Sequence, residues 1–500
     1  VVVAVDVSSD KLDPEKLKSF GGVLSRTISL PIRQNVSAAL PRASVVVRPK
    51  ECDIPSMDFA RTADLVARGE TAARVLAKEL SALSVTEEEY RAFRERVRGR
   101  RPESPVVDAI QTVSAGVDTR QIMSRLETRV GKPLDVAVLR RDLDRIYEMG
   151  VFETVDFRLL RDEGRNVLLI DARPKSWGPT FLRVGGAFEA NFDGNATLAL
   201  RATLHAMQLN GRGGELKTTI ELGTVPGANV EYYQPLDFRG RFFLSANVLY
   251  QRSLARVSVP GGPVGEARVW VLQGSVDGGL SLGSFGQIHA GVFRGTGGAD
   301  VLLAEAPQED LRFDHGGLFG YAGYDTLDDL SFPRRGTSAA GRLEVFLDEL
   351  GSDSTFYRLF ARGIQALPLA PKTTLIASAG WEDTLGSDPP YYMLFTLADF
   401  NRFSALSREI VAGERAASLS ASLSHRVASL PTRLGRGVYV GGAFELARVW
   451  TRREDTSLSG LRPAGGVFAA ADTVLGPIYT GVGIGYGGNT SFYVFLGRPF

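Results

Sequence analysis

Beyond Trp177 the sequence has no stretch with the 3.6-residue period of a helix, and it alternates instead between apolar and polar residues. Clusters of turn residues interrupt this alternation every 15 to 25 residues, as at Phe192-Asp193-Gly194 before the alternating segment 195–203. A two-residue period is typical of strands with one apolar and one polar face. Sixteen such strands fit the segment, and we expect them to start near residues 180, 195, 214, 228, 240, 266, 284, 311, 336, 354, 373, 416, 436, 463, 477 and 490.

The composition changes at the same position. Residues 1–177 contain only 8 of the 55 glycines and 8 of the 45 aromatic residues, but 57 of the 115 charged residues. Long strands rich in glycine and aromatic residues are typical of membrane barrels, and lipid permits only helices or closed barrels because it satisfies no backbone hydrogen bond. A soluble β-structure such as a propeller is the alternative, and it is disfavoured because no 40–50-residue repeat with a fixed signature recurs. The sequence therefore predicts a multi-domain protein that ends in a sixteen-stranded antiparallel transmembrane β-barrel over residues 177–500.

One uncharged stretch, residues 473–497, is long enough to cross a membrane as a helix. It contains seven glycines, and each glycine destabilises a helix interior by roughly 1 kcal/mol relative to alanine. We therefore predict two strands and a tight turn at Gly487-Gly488-Asn489, and no transmembrane helix.

The charge and the cysteine content exclude several classes of protein. A net charge of +1 gives no basic face for nucleic acid, and the single cysteine, Cys52, excludes a disulfide framework or a cysteine-rich metal site. The four histidines lie too far apart to show a local metal-ligand spacing, so we expect no metal and no cofactor. The chain starts at Val1 without a methionine or a charged and apolar leader, which indicates a fragment or a processed product.

Residues 1–102 have the pattern of an α/β domain. The apolar run 1–7 predicts a strand buried on both faces of a parallel sheet, and residues 43–47 predict a second strand. Helical patterns lie around residues 13–24 and from about residue 70 to residue 83. A sheet that begins with a buried strand needs further neighbours, so we interpret this region as the C-terminal part of such a domain with a linker.

The two apolar runs, followed by Phe59, Leu65 and Gly69-Glu70, resemble the closing section of a patatin-like phospholipase domain. In that family a serine in a G-x-S-x-G turn attacks a lipid ester, and an aspartate in a D-G-G/A motif acts as its base. Both motifs precede the strand that begins here at Val1, so the resemblance implies that the catalytic pair lies outside this chain. We therefore expect no catalytic residue, and no ester hydrolysis, in the chain itself.

Residues 277–283 match both phospholipase motifs by letter, because Asp277-Gly278-Gly279 is followed by Gly279-Leu-Ser281-Leu-Gly283. A nucleophile turn lies between a strand and a helix, with its aspartate far away in sequence. Here the two motifs overlap in a glycine-rich alternating region without a following helix. We interpret the stretch as a hairpin turn and the start of a strand.

Six arginines lie between Tyr90 and Arg101. They could form a patch for phosphate or lipid headgroups. A solvated helix end that leads to a linker, with Pro102 and Pro105 nearby, is the favoured interpretation.

Residues 103–176 predict a β-α-α-β-β unit. Val106 to Val117 is a candidate strand, and Asp118 and Gln121 form a predicted capping box for a helix that ends at Gly131. A second helix carries Leu139, Leu143, Ile146 and Tyr147 on one face and ends at Gly150, and strands at 152–159 and 166–172 follow.

This order, together with the turn made by Tyr147, Gly150, Val151 and Phe152, resembles a POTRA domain, the periplasmic module of outer-membrane barrels. Such modules act by β-augmentation, in which an open strand edge pairs with an unfolded client or a partner. A rigid spacer between two domains is an equally favoured role for one copy.

Phe492, Val494, Leu496, Arg498 and Phe500 share one face of the last strand. A terminal phenylalanine on an alternating strand resembles the C-terminal signal of outer-membrane proteins. The resemblance implies the barrel-assembly machinery as a partner during biogenesis.

Three further stretches resemble the BamA/TamA-type outer-membrane superfamily. Leu330-Ser-Phe-Pro333-Arg-Arg335-Gly336 matches a strand opening of that superfamily, and Asp472-Thr-Val-Leu-Gly476-Pro477 matches its turn before the fifteenth strand. Residues 397–415 correspond to its sixth external loop, which folds into the barrel. The usual Val-Arg-Gly-Tyr/Phe is replaced here by Val411-Ala-Gly413-Glu, so only Gly413 is carried over, with Arg415 as a substitute contact in the lumen.

The order of the three parts, 1–102, 103–176 and 177–500, resembles the patatin-type autotransporters of type V secretion. The resemblance implies an outer-membrane anchor of a Gram-negative bacterium that exports or displays a lipid-acting esterase, with the POTRA domain in the periplasm. Outer-membrane lipids are expected partners, a homo-oligomer is possible, and nucleic acid is not expected. The alternative function is that of an assembly or translocation factor for other proteins.

Deletion of Phe500 is expected to impair membrane assembly, because it removes the last residue of the predicted C-terminal signal. The measurement is the amount of heat-modifiable barrel in isolated outer membranes. Wild-type amounts of folded barrel would contradict the prediction.

Overall fold

The computed structural model describes residues 1–7, 20–49, 62–99, 104–191, 196–258, 264–303, 311–390, 393–395, 413–431, 434–485, 488 and 490–496. The chain divides into two compact units, Val1–Glu103 and Ser104–Phe500. Among the described residues, no helix is long and apolar enough to cross a membrane.

The first unit combines a small parallel sheet with four helices. Strand β1 (Val3–Val5) pairs in parallel with β2 (Val45–Val47), and residue 3 lies opposite residue 45. The helices are α1 (Phe20–Ala39), α2 (Thr62–Val75), α3 (Ala77–Ser81) and α4 (Glu87–Gly99). Every residue of α4 up to Val97 is exposed, as a solvated helix would be.

Two expectations for this unit are wrong. The strand at 1–7 is not buried on both faces: Val1 is 92% and Val7 82% exposed, because β2 is the one strand that pairs with β1 among the described residues. The helix expected from residue 70 instead begins at Thr62 and breaks at Leu76, whose backbone leaves the helical region. The first part of the helix expected at 13–24, and Phe59, lie outside the described residues.

The second unit begins with a three-stranded sheet and two helices, which we call the module (residues 104–176). Its elements are β3 (Ala109–Val113), α5 (Thr119–Met123), α6 (Val136–Tyr147), β4 (Phe152–Asp162) and β5 (Arg165–Pro174). The strand order is β3-β5-β4, with β3 parallel and β4 antiparallel to β5, so β3 and β4 are the two edges. The core is made by fully buried apolar side chains, among them Val107, Ile122, Leu139, Ile146, Phe152, Leu168 and Ile170.

The first helix of the module is much shorter than the sequence predicts. Asp118 caps α5 as expected, but the helix stops at Met123 and does not reach Gly131. The cause is Asp142, a fully buried carboxylate that accepts hydrogen bonds from the backbone amides of Glu127 and Thr128, both at 2.9 Å. These bonds hold the following segment in a loop, because a buried carboxylate is costly unless it is hydrogen-bonded.

The second helix ends near the expected position, with one difference in its faces. Leu139 and Ile146 are buried, whereas Tyr147 is 54% exposed and lies off the buried face. Gly150 then reverses the chain with φ of +76°, a conformation that favours glycine, and Phe152 starts β4 in the core.

Sixteen antiparallel strands follow and close into a barrel. They are β6 (Thr180–Asn191), β7 (Ala196–Ala206), β8 (Glu215–Gly223), β9 (Gly227–Pro235), β10 (Phe242–Ser258), β11 (Val264–Ser281), β12 (Gly286–Leu303), β13 (Leu311–Asp325), β14 (Gly336–Phe346), β15 (Phe356–Ala370), β16 (Thr373–Asp383), β17 (Arg415–Ala428), β18 (Gly435–Trp450), β19 (Arg462–Thr473), β20 (Gly476–Ile484) and β21 (Thr490–Leu496). Every strand starts within two residues of its predicted start, and the count of sixteen is confirmed. Residues 473–497 contain the end of β19 and two strands, as predicted.

The two faces of the barrel wall differ in chemistry. Leucine and valine side chains such as Leu182, Val184, Leu200 and Leu204 are exposed on the outer face. The alternate positions carry polar and charged groups that pair with each other across neighbouring strands, as Arg201 does with Glu221. An apolar outer band around a polar interior is the pattern of an outer-membrane barrel.

The many glycines of the wall have a packing role on the inner face. A Cβ on Gly297 would overlap the ring of Phe313, which lies directly opposite on the next strand. Gly441 and Phe468 form a second pair of this kind, between β18 and β19. Glycine therefore makes room for an inward-facing aromatic ring on the neighbouring strand.

Candidate functional site

The barrel has two rims, which we name by the chain connections they carry. The proximal rim holds the start of β6, the end of β21 and the turns after β7, β9, β11, β13, β15, β17 and β19. The distal rim holds the connections after the other strands, including the long one between β16 and β17. The functional groups predicted from sequence fall on both rims.

The module is attached to the proximal rim through α5. Asp118 accepts a hydrogen bond from the Arg120 amide at 2.9 Å, and the Arg120 guanidinium lies 4.4 Å from the ring centre of Phe238, in the turn after β9. The Arg120 side chain, through its hydrogen bonds, lowers the pKa of Asp118 from 3.8 to about 2. Because this pKa is lower in the folded chain, the stabilising effect of the cap is complete above about pH 4 and is lost as the pH falls towards 2.

Two further side chains of the same segment bind the backbone of the rim. Gln121 donates to the Gln208 side chain at 2.9 Å and to the Gly211 carbonyl at 3.2 Å, and Arg125 donates to the Phe238 carbonyl at 2.9 Å. The predicted capping box is therefore only half present, because Gln121 reaches across to the barrel and not back to Asp118. Burial against the rim lowers the pKa of Arg125 below its ordinary value.

The stretch predicted from Pro333, Arg335 and Gly336 forms the turn between β13 and β14, residues 326–335. Gly336 closes its base with φ of +109°, and a Cβ there would overlap the carbonyl oxygen of Thr326. The Asp328 carboxylate accepts from the Arg335 amide at 3.2 Å, and the Arg335 guanidinium lies 3.8 Å away at an exposed position. Pro333 follows Phe332 at the inner side of the turn and is itself buried.

The 326–335 turn folds inward and contacts the opposite part of the wall. The ring of Phe332 stacks on Tyr439 of β18, with centroids 4.4 Å apart, and on Tyr479 of β20, with centroids 5.1 Å apart. The Tyr479 hydroxyl donates to the Ser331 carbonyl at 2.7 Å. Tyr439 and Tyr479 both lie opposite the buried Ala470 in the strand register, on the same face of the wall, so they face the lumen.

An ionic contact joins the two sequence stretches that were predicted separately. Arg436 lies 2.7 Å from Asp329 of the 326–335 turn and 2.7 Å from Asp472 at the end of β19. Asp329 also accepts from the amides of Ser331 and Phe332. Burial alone would raise the pKa of Asp329, but these hydrogen bonds and the Arg436 charge together hold that pKa below its ordinary value.

The predicted stretch at 472–477 forms a two-residue turn between β19 and β20. Asp472 pairs in register with Pro477, and Thr473 pairs with Gly476, whose φ is +111°. The Thr473 hydroxyl donates to the Gly476 carbonyl at 2.7 Å. The turn therefore fixes the position of Asp472 beside Arg436.

Sequence reasoning missed Asp329, Arg436, Tyr439 and Tyr479. Each lies in or next to a segment that was recognised, but the contacts that join the 326–335 turn to Arg436, Tyr439 and Tyr479 span more than 100 residues of the chain. The only local signal was the pair of adjacent acids at 328 and 329 ahead of the Phe332-Pro333 step. Without the strand register of the barrel, these two acids do not indicate which residues they contact.

The phospholipase-like letters at 277–283 lie at the end of β11 and in the turn after it. Asp277 lies 2.9 Å from His289 of β12, and both side chains are largely buried. Ser281 donates to the Gly283 carbonyl at 3.3 Å, and a single 3-10 turn, Gly283–Phe285, but no α-helix, separates β11 from β12. The stretch thus ends a strand and leads into a hairpin.

On the distal rim, Gly413 and Arg415 take different positions. Gly413 pairs with Phe395 through two backbone hydrogen bonds, and Phe395 is 1% exposed. Arg415 forms an ion pair with Asp383 at 2.6 Å. It lies four residues before Leu419 on the same strand, so both side chains point to the outer side of the wall. The sequence analysis expected Arg415 in the lumen, and that expectation is wrong. Residues 396–412 lie outside the described part of the chain.

The last strand carries the predicted C-terminal face. Phe492 and Leu496 are exposed on the outer face, and Val494 lies between them on the same side. Arg498 and Phe500 lie outside the described residues. Among the described residues, β21 closes the barrel by pairing with β6 over six residue pairs. We call this β6–β21 junction the seam.

Among the described residues, no group of three or more histidine, cysteine, aspartate or glutamate side chains could hold a metal ion. The polar contacts described above instead hold parts of the chain together.

Comparison with known proteins identifies one domain. Residues 298–397 match the Omp85 superfamily domain. That match spans β12 to β16 and contains the 326–335 turn. A search of the curated proteins finds no match to the sequence.

Solved structures of outer-membrane barrels resemble more than three quarters of the chain. BamA from Haemophilus ducreyi lacking POTRA domains 1–3 matches with a TM-score of 0.58 and 14% identity, over 78% of this chain and 84% of that one. CdiB from Acinetobacter baumannii gives 0.54 and 11%, over 78% and 74%, and CdiB from Escherichia coli gives 0.55 and 10%, over 79% and 76%. At these identities the likeness shows the fold alone, a sixteen-stranded barrel.

The substitution Arg125→Ala is expected to loosen the module from the barrel, because it removes the hydrogen bond to the Phe238 carbonyl. Amide hydrogen exchange in the whole protein should become faster in residues 119–125 and 236–241. Arg129→Ala, an exposed arginine of the same module, is the matched control. Equal exchange in Arg125→Ala and wild type would mean that other contacts carry the attachment.

Proposed function

We propose that this chain acts in the outer membrane of a Gram-negative bacterium as an Omp85-type barrel that inserts or translocates polypeptide, with the module in the periplasm. The observation that carries the proposal is the seam. It joins the first and last strands of the barrel, which no turn of the chain connects. The backbone hydrogen bonds of the seam can therefore open locally while every hairpin of the barrel stays intact.

The module supports the same function. Its β-α-α-β-β order is that of a POTRA domain, and its edge strand β4 exposes Phe157, Leu159 and Leu160. An exposed edge strand is a template to which an extended client segment can add by main-chain hydrogen bonds. The contacts of Arg120, Gln121 and Arg125 with the proximal rim attach the module to the barrel.

The resemblance to the BamA/TamA-type superfamily agrees with this assignment. Members of that superfamily assemble or secrete other proteins, and solved barrels similar to this one include BamA and CdiB. A partnership with the outer-membrane assembly machinery and with membrane lipids follows from the proposal. The same fold is compatible with a homo-oligomer.

A second function is favoured by the first unit. Its parallel β1–β2 pair and its helices carry the resemblance to the end of a patatin-like phospholipase domain. On this proposal the barrel is an autotransporter that exports or displays a lipid acyl hydrolase, whose catalytic serine and aspartate precede Val1. The polypeptide that the barrel handles would then be its own N-terminal part.

A disulfide across the seam is expected to abolish the activity. In a Cys52→Ser background, cysteines at Ala187 and Phe495 face each other across the seam, and cysteines at Ala187 and Ala199 face each other between β6 and β7. The probe is a urea-unfolded eight-stranded outer-membrane protein added to proteoliposomes, with folding followed by heat-modifiability.

Wild type should accelerate folding of the probe, the seam disulfide should remove the acceleration, and reduction should restore it. The β6–β7 disulfide should leave the acceleration unchanged. No acceleration by wild type, or equal rates with the seam oxidised and reduced, would contradict the proposed insertion through the seam.

The display proposal has a separate test. If the first unit is exported, protease added to intact cells should cleave within residues 1–103 while the barrel stays protected. Cleavage that occurs only after the outer membrane is permeabilised would contradict display of this unit on the surface.

A further inference from the structure

The 326–335 turn makes contacts that a simple hairpin connection does not need. It leaves the wall between β13 and β14, yet it binds β18, β19 and β20, which lie four to six strands further around the ring. Ten residues are far more than an antiparallel pair requires, since two suffice. The turn thus crosses the inside of the proximal rim as a chord.

The inner structure of the turn presents Phe332 to the opposite wall. Asp329 accepts the Ser331 and Phe332 amides at 2.8 and 2.9 Å, and Asp328 accepts the Arg334 amide at 2.8 Å. These bonds satisfy the backbone donors of the bend and fix where the Phe332 ring lies. The Phe332 ring stacks on Tyr439 and Tyr479, and Arg436 forms an ion pair with the Asp329 carboxylate.

The far end of the chord lies next to the seam. Tyr479 of β20 pairs in register with Phe495 of β21, and Phe495 pairs with Ala187 of β6 across the seam. All three face the lumen in one row, and Phe495 packs against the cluster that also contains Phe332 and Tyr479. A displacement of β20 is therefore passed directly to the strand that forms one side of the seam.

We propose that the 326–335 turn is a latch that holds β20 and β21 in place and so regulates opening of the seam. While Phe332 and Asp329 are bound, β18 to β20 are fixed to the turn and the seam stays paired. When these contacts break, β20 and β21 can move together and the seam ladder opens. The latch rests on the proposed function only in that seam opening would then serve the passage of a polypeptide. Its effect on the seam itself can be measured without any client protein.

The variants separate the two kinds of contact. Phe332→Leu removes the stacking and Phe332→Tyr keeps it. Asp329→Asn removes the charge opposite Arg436, but its side-chain oxygen can still accept the Ser331 and Phe332 amides, so the bend is preserved. Arg335→Gln alters an exposed residue of the same turn, 80% exposed at its side chain, and is the matched control.

The measurement is amide hydrogen exchange of the whole protein in lipid nanodiscs, compared between the seam strands (residues 180–191 and 490–496) and the distant strands β10 to β12. Loss of one aromatic stack or charge-assisted contact is expected to speed exchange in the seam strands by about tenfold. Phe332→Leu and Asp329→Asn should show this increase, and Phe332→Tyr and Arg335→Gln should not.

Two results would overturn the latch. Unchanged seam exchange in Phe332→Leu and Asp329→Asn would show that the turn does not control the seam. An equal increase in β10 to β12 would show that the turn only stabilises the barrel in general. Because neither result involves insertion of a client protein, the latch can fail while the proposed function holds, and the reverse.

Discussion

Lipid offers no hydrogen-bond partner to a peptide group, so the wall of this protein can exist only as a closed ring. Closure requires that the first strand of the barrel finds the last one, 300 residues further along the chain, and the pairing of β6 with β21 meets that requirement. The other fifteen junctions join strands that are neighbours in sequence. The whole architecture therefore depends on one junction that is not held by a turn.

This constraint gives the proximal rim its importance. Two devices lie there, the module attached by α5 and the inward-folded 326–335 turn, and the described contacts tie each of them to a different part of the wall. The module binds the turns after β7 and β9, which connect strands one to four places beyond β6. The turn binds β18 to β20, on the other side of the seam. The seam thus lies between two sectors of the wall that are anchored at the proximal rim.

The barrel was predictable from sequence because its determining pattern is local. Alternation of apolar and polar residues depends only on a strand having two unlike faces, and every one of the sixteen starts was found from it. Predictions failed where a distant group decides the local structure. Asp142 takes the amides that would have extended α5, and Gln121 binds the barrel and not its own helix end. Arg415 was expected in the lumen, but the register of β16 and β17 turns it to the outer side.

The candidate site followed the same rule. The glycine and proline positions of the two rim turns were visible as motifs, since a positive φ or a reversal of direction leaves a mark in the sequence. The partners that join those turns, Arg436, Tyr439 and Tyr479, sit in ordinary alternating strands and have no mark of their own. The short β1 strand of the first unit shows the opposite limit, because an apolar run predicts burial only when covering neighbours are present.

Only five residues, 175–179, connect β5 of the module to β6 of the barrel. A connection of that length, together with the bonds made by Gln121 and Arg125, leaves the module little freedom to rotate or to swing away from the rim. On the proposed function, an extended segment that pairs with β4 would therefore approach the membrane along one direction. The module would then act as a fixed guide for the incoming chain.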